Sequence, residues 1–373
     1  MQSYKYTTHE KTYKYSNIHP KLEITREYFI KALFDKFHDI CIKSNPQFPK
    51  HKSIDFMTRF CWKNESDIDP VIPYNASGNY EIEQLKTDLT NYGFDAKKII
   101  EQLNIVQVLN DSINKFGQVY DSIDPKETIQ VQQHHDVLTY DRWTVDCSEQ
   151  IFNKLDRFYD GKFPNKLALY FCILYRYNIL DADNQQLSVN IDLKKELTQK
   201  FNVDWEMFGS CFNRSFHNYG SIYYDLEKYF GSVGNFFNND YTSGLYMANP
   251  PFDETIMKNM ALKLIDCLDK TTMPLGFVIV IPVWDFNTMQ KISHVCKTKY
   301  VNMGPYAVYD ILLASKYYVK QYTFCKNNFP YFNFKKNTLI GATNTFIIIL
   351  KNDAMQLDMQ KMNYVLAKYN PIP

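Results

Sequence analysis

The chain has no apolar run long enough to cross a bilayer. Its longest uncharged apolar stretch, Leu167 to Tyr175, lies between Lys166 and Arg176 and is far short of the roughly 20 residues a spanning helix needs. The N-terminal residues Met1-Gln2-Ser3-Tyr4-Lys5-Tyr6 carry no apolar leader, so the expectation is an intracellular protein, nuclear or cytoplasmic, with no membrane partner. No two of the 8 cysteines lie closer than 20 residues, which excludes a zinc-ligand spacing or a dense disulfide framework and predicts reduced, buried thiols. There is no Gly-x-Gly fingerprint, no phosphate-binding lysine loop and no serine nucleophile elbow, so kinase and hydrolase chemistry have no residues to use. His134-His135-Asp136 lacks a spaced third ligand and reads as surface, so no metal is expected. Glu81 and Glu83 sit at alternate positions, which do not face one another on a helix and make no acid/base pair.

What is present is the composition of a folded globular protein: 373 residues, 45% hydrophobic and 22% charged, enough for about two domains. The net charge of +1 conceals basic ends around an acidic middle: residues 1–63 carry 12 Lys/Arg against 6 Asp/Glu, and residues 291–373 carry 11 against 3. Basic surface interleaved with Tyr and Phe suits a polyphosphate ligand, and equally a solvated lysine-rich face. The first half reads as helices, over Leu22–Ser44, from Asp95 to Lys115 with Gly117 closing it, from Ser148 to Gly161, and over Lys166–Leu180 and Asp192–Lys200. The stretches around Pro70 to Gly78 and from Asp121 to Gln133 read as surface connections. Short apolar runs then alternate with a helix-like stretch: Glu206–Phe208, Gly244–Ala248, Asp253–Lys270 (helical), Phe277–Ile281 and Thr345–Leu350. That alternation predicts an α/β fold with a mostly parallel sheet, divided as a helical domain 1–190 and a sheet domain 191–373.

The chemistry concentrates in Asn249-Pro250-Pro251-Phe252, between the apolar run Gly244–Ala248 and the helix beginning near Asp253. A strand, a rigid turn and a helix place these residues at a strand's carboxyl end, where open α/β sheets bind ligands. An aromatic amino group is a poor nucleophile because its lone pair is delocalised into the ring. Acceptors that hold its two N–H groups favour a pyramidal nitrogen with the lone pair turned outward. Asn249 supplies one side-chain carbonyl; the Pro250 carbonyl supplies a second, stiffened by two successive rings without N–H donors. Phe252 offers a face on which a base can stack. The set describes a holder for an exocyclic amine, aligned for in-line methyl transfer.

The tetrapeptide resembles the Asn/Asp-Pro-Pro-aromatic signature of S-adenosylmethionine-dependent amino-group methyltransferases. Together with Tyr229-Phe230-Gly231-Ser232, the run Pro274 to Trp284, Asn344-Thr345, and the helix-like Leu167 to Tyr177 with Tyr175-Arg176-Tyr177, it is similar to the phosphorylated-CTD-interacting-factor family of cap-specific adenosine methyltransferases, over about residues 150–353. That resemblance implies a Rossmann-like class I methyltransferase domain after a helical one, S-adenosylmethionine as cofactor, no metal, and capped RNA as partner, methylated at N6 of the 2'-O-methyladenosine beside 7-methylguanosine. It carries Asn249, Pro250, Pro251 and Phe252 over as the catalytic set. Cofactor contacts are expected from Glu206, Phe208, Gly209, Ser210 and Asn213, then Phe230, Gly231 and Ser232. Substrate contacts are expected from Trp284, where a base or the cap can stack, and from Lys335 and Lys336 in the basic, aromatic stretch that begins at Lys316. Two readings stay open beside it: adenine in DNA or internal RNA as substrate, and a methyltransferase-like protein that binds RNA without turnover. The family's animal members carry a phosphopeptide-reading WW module, but Trp62 and Trp143 are too far apart for its tryptophan pair, so contact with the polymerase tail is not expected.

Overall fold

The computed structural model describes residues 4–8, 11–64, 66–179, 187–296, 307–334 and 337–372. The chain forms two compact units, Lys11–Ala182 and Met1–Glu10 with Asp183–Pro373. The first strand, β1 (Lys5–Thr8), belongs to the second of these.

The unit Lys11–Ala182 is mainly helical: α1 (Pro20–Ser44), α2 (Lys50–Lys63), α3 (Glu83–Asn91), α4 (Ala96–Leu103), α5 (Ile105–Asp121), α6 (Glu149–Phe158) and α7 (Lys166–Ile179). Pro20 starts α1, and His19 caps it, its Nδ1 accepting from Lys21 N. A buried charge network inside the unit ties α1 to α7. Glu23 accepts from Arg26 and Arg176, and Arg26 donates to Asp69 at 2.9 Å. Two anions answer two cations, which is how four fully buried charges are tolerated.

The helix expected from Asp95 to Lys115 is two helices. Asn104 between them has φ 49° and ψ 54°, the left-handed region that asparagine tolerates. Gly117 does not end the second helix; a Cβ there would lie 2.4 Å from the Tyr15 hydroxyl, so the glycine makes room for that ring. The connection expected to reach Gln133 instead enters a three-stranded antiparallel meander, β2 (Val131–His134), β3 (Val137–Tyr140) and β4 (Trp143–Asp146). His135 in the first turn has φ 50°.

The other unit runs β5 (Leu187–Ser188), α8 (Ile191–Phe201), β6 (Trp205–Glu206), β7 (Asn218–Tyr219), α9 (Tyr224–Glu227), β8 (Asn239–Ala248), α10 (Glu254–Lys270), β9 (Leu275–Pro282), α11 (Phe286–Cys296), α12 (Ala307–Leu313), β10 (Tyr318–Phe324), β11 (Tyr331–Asn333), β12 (Thr338–Ile340), β13 (Thr345–Lys351) and α13 (Met359–Ala367). Its main sheet has the order β10-β13-β9-β8-β6-β7, with β1 antiparallel on the first half of β8. Strands β6 to β9 are parallel; β13 is antiparallel to both its neighbours. The fold is therefore mixed α/β with a mostly parallel sheet following a helical region.

Strands β8 and β9 read as continuous apolar runs because both sheet faces are covered. Tyr246, Ala248, Phe277, Ile279 and Ile281 pack with Met257, Met260 and Leu264 of α10. On the other face, Leu245, Met247, Val278 and Val280 pack with Leu193 of α8 and Met362 of α13. No helix of the described residues is long and apolar enough to cross a membrane. One cysteine expectation is corrected. Six cysteines are free and buried, but Cys296 and Cys325 are joined, Cα to Cα 5.1 Å. The fold brings together the end of α11 and the end of β10, a proximity that a 29-residue separation does not announce.

Candidate functional site at the carboxyl ends of β6 and β8

The chain leaves β6 toward β7 and returns to place β8 on the opposite side of β6. Strand order thus reverses between β6 and β8, which pair in parallel at Glu206 and Met247. The crevice outside such a reversal is where α/β sheets bind ligands. Two segments leave the strand ends there: 207–213 after β6, and Asn249-Pro250-Pro251-Phe252 after β8.

Asn249 is 9% exposed, and its side-chain oxygen is buried with no hydrogen-bond partner among the described residues. An orphaned buried acceptor costs stability and asks for a donor. The next carbonyl, that of Pro250, also meets no donor among the described residues. The turn carrying both oxygens is held at each end. Before it, β8 is in register with β9 through Ala248 and Ile279. After it, Asp253 N donates to Pro251 O at 2.8 Å, and the Asp253 carboxylate caps α10 by accepting from Thr255 N and Ile256 N. Phe252 is half-buried between Trp284 and Tyr331, whose rings stand at 81° and 82° to its own. Trp284 follows β9 at the same end of the sheet, its backbone N–H donating to the Tyr309 hydroxyl, which in turn donates to Pro282 O.

The segment after β6 has no Gly-x-Gly, and side chains fix its path instead. Ser210 N donates to Asn213 Oδ1 (2.8 Å), while Asn213 N and Phe212 N donate to Ser210 Oγ. Cys211 N donates to Glu227 Oε2 at 2.7 Å. Gly209 N donates to Gly220 O; at Gly220 a Cβ would fall 2.3 Å from Met207 O, so only glycine allows the two chains to cross. Ser232 N donates to the Glu227 backbone carbonyl, Gly231 turns at φ 84°, and Ser232 makes a parallel bridge to Tyr219. Glu227, fully buried, thereby joins the 207–213 and 230–232 segments. Phe208 rests on Phe236, ring centroids 4.6 Å apart.

Of the residues singled out from sequence, Glu206 stands apart. Its carboxylate is buried in the core, both oxygens accepting from Lys194 Nζ at 2.7 Å. Burial lowers the Lys194 pKa, opposed by the Glu206 charge. Lys335 and Lys336 lie outside the described residues. Elsewhere in the basic, aromatic stretch, Lys316 pairs with Asp269 and Lys320 donates to Asn363, while Tyr331 and Phe334 are buried. No group of three or more His, Cys, Asp or Glu among the described residues is arranged to hold a metal ion.

Sequence reasoning passed over Glu227 and Tyr309, and met Tyr331 and Thr345 only within the basic, aromatic stretch and the run Asn344-Thr345. Glu227 sits in a segment with no motif, and the other three act through contacts that only the folded sheet creates.

The strand-order reversal is thus flanked by a locked loop and by an amide oxygen without a partner among the described residues, at the kind of crevice where open α/β sheets bind ligands. Residues 149–321 match the family described as "Phosphorylated CTD interacting factor 1 WW domain". The chain is also 29% identical over 177 residues to the mRNA (2'-O-methyladenosine-N(6)-)-methyltransferase of Homo sapiens, and to the same degree to that of Mus musculus; the match covers 44% of this chain and 25% of each relative. The similarity to this family thus covers residues 149–321, and the chain matches a quarter of the length of these curated relatives.

Proposed function

We propose that this chain is an S-adenosylmethionine-dependent RNA methyltransferase acting on N6 of adenosine, at the 2'-O-methyladenosine beside a 7-methylguanosine cap. The observation that carries the reading is the buried, unpartnered Asn249 oxygen at the carboxyl end of β8. The sheet order, with β13 inserted antiparallel between β9 and β10, supports a Rossmann-like class I methyltransferase domain over 191–373. The similarity of residues 149–321 to this family, and of the chain to the two curated methyltransferases, supports the choice of reaction.

The residues present fit the cofactor. The 207–213 segment is held without glycine repeats by Asn213, Ser210 and Glu227, and Gly209, Ser210, Phe230, Gly231 and Ser232 would hold the cofactor there. When bound, S-adenosylmethionine supplies an electrophilic methyl group on a sulfonium. The chain's own work is on the acceptor. Asn249 Oδ1 and Pro250 O accept hydrogen bonds from the two amine N–H groups, leaving the nitrogen lone pair directed away from the ring. Phe252 takes the base on its face, with Trp284 beside it. Neither Pro250 nor Pro251 offers a backbone N–H to compete for those oxygens. The acceptor geometry therefore exists before substrate arrives, which is where electrostatic catalysis gains most.

The test is incubation of the purified chain with methyl-labelled cofactor and RNAs that differ only in the cap. Label on N6 of the cap-adjacent adenosine, competed by free cap analogue, is the expected result. Equal label on uncapped RNA or on DNA removes the cap assignment. No label on any adenine, with no calorimetric binding of S-adenosylhomocysteine, removes the enzyme and leaves an RNA-binding protein.

A further inference from the structure

We propose that Tyr331 is a positioning residue that fixes the ring plane of Phe252 and through it the tilt of the stacked base. The inference deepens the proposed function and rests on its assignment of Phe252 as the stacking face. Tyr331 lies beyond residues 149–321, which match the family.

Phe252 is gripped between two edges. The Tyr331 ring centroid lies 5.9 Å from that of Phe252 at 82°, and the Trp284 centroid 6.2 Å away at 81°. Perpendicular contacts of this kind are the favoured edge-to-face geometry, and two of them leave the clamped ring little freedom to rotate. Trp284 is half-buried, whereas Tyr331 is 1% exposed and anchored in the fold. Its backbone lies in β11, paired with β12 at Ile340; its ring stands against Phe329, at 77°. Its hydroxyl meets Thr345 Oγ1 at 3.0 Å. Thr345 Oγ1 is itself held, 3.2 Å from Thr343 O. Thr345 begins β13 directly opposite Pro282, the end of β9. The sheet that carries Asn249 thus also holds, through Thr345 and Tyr331, the ring that aims the base.

Angular error in a bound base degrades alignment of the amine more than it weakens binding, so a positioning role appears in kcat rather than KM. Tyr331→Leu removes the ring, Tyr331→Phe keeps the ring and drops its anchor, and Thr345→Ser keeps the anchor. The expected order is a kcat loss of about tenfold or more for leucine, about threefold for phenylalanine and none for serine at 345, with KM for RNA within about threefold throughout. A second readout needs no turnover: RNA carrying 2-aminopurine at the target position is quenched on stacking. That quench should be absent in Phe252→Ala and weakened in Tyr331→Leu. Parent-like kcat and quench in Tyr331→Leu overturn the proposal. If the leucine variant does not fold, Tyr331→Phe decides alone, and unchanged kcat and quench overturn it. Quench that depends on Tyr331 in a protein that transfers no methyl group would instead refute the functional reading and leave the positioning role standing.

Discussion

Replacing Asn249 with alanine separates function from stability, because the two respond in opposite ways to the same atom. The carboxamide oxygen is buried and accepts from no donor among the described residues, so its removal strands none of their donors. An unsatisfied buried polar group costs about 1–3 kcal/mol; deleting it returns that amount, offset by a loss of packing of similar size. The net change in unfolding free energy should stay within about 1 kcal/mol, a melting shift within about 4 °C for a unit of this size. Turnover has no such compensation. A preorganised acceptor used in the transition state contributes about 2.7–4 kcal/mol, a factor of about 10² to 10³ in kcat. Cofactor affinity and KM for RNA should barely move, since the ground state gains little from this contact. The assay is single-turnover methyl transfer to capped RNA, alongside thermal unfolding and calorimetry with S-adenosylhomocysteine. A kcat within tenfold of the parent refutes the amine-holding mechanism. A melting temperature lower by about 8 °C or more refutes the claim that the oxygen is structurally idle.

Lys194→Met should cost about 3–5 kcal/mol in urea unfolding, because it leaves the Glu206 carboxylate buried without its cation; adding Glu206→Gln should recover part of that loss, and a parent-like midpoint for the single variant would show the pair to be energetically inert. His19 should make the helical unit acid-sensitive. Burial holds its pKa below 6.5, and its Nδ1 must stay unprotonated to accept from Lys21 N. The unfolded chain therefore binds more protons as pH drops through 6.5, so the His19 contribution is complete above that value and is lost below it. His19→Asn, which keeps a cap acceptor but does not titrate, should flatten the pH 5–7.5 stability profile; an unchanged slope would assign the effect elsewhere. Reduction of Cys296–Cys325 should destabilise its unit by up to about 3.5 kcal/mol, the loop-closure value for a 29-residue separation. Thermal unfolding with and without a phosphine reductant measures this, and identical curves would exclude a stabilising bond.

The apolar runs that became β8, β9 and β13 were legible because strands covered on both faces must be apolar throughout. The tetrapeptide was legible for a related reason: two prolines between a strand and a helix leave few alternative backbones. What escaped notice were elements whose stability comes from partners distant in sequence. Strand β1 forms by pairing with residues 239–243. Helices α2 and α3 lie in the stretch without a marked apolar period, and α2 has no side-chain cap. Strand β10 hides among alternating Lys and Tyr residues, of which Tyr322 is buried and Tyr318 exposed. Glycine was read correctly as special and wrongly as punctuation at Gly117, where the demand comes from the Tyr15 hydroxyl rather than from the local chain. The Glu206 carboxylate illustrates the same limit: its neighbourhood in sequence suggested a ligand, but Lys194 lies on the preceding helix and occupies it.

The two strand-end segments solve one problem by different means. A ligand site must keep polar groups unsatisfied until the ligand comes, yet an unsatisfied group in a mobile chain finds a partner by moving. After β8 the movement is prevented by chemistry of the backbone: two residues without N–H, a strand register before them and a capped helix behind. After β6 it is prevented by side chains, with Asn213, Ser210 and Glu227 occupying the backbone donors of residues 210–213. The second device saturates the donors it touches and so builds walls, whereas the first leaves two oxygens open. That difference is why the reacting group is assigned to the tetrapeptide and the loop after β6 is given the holding role.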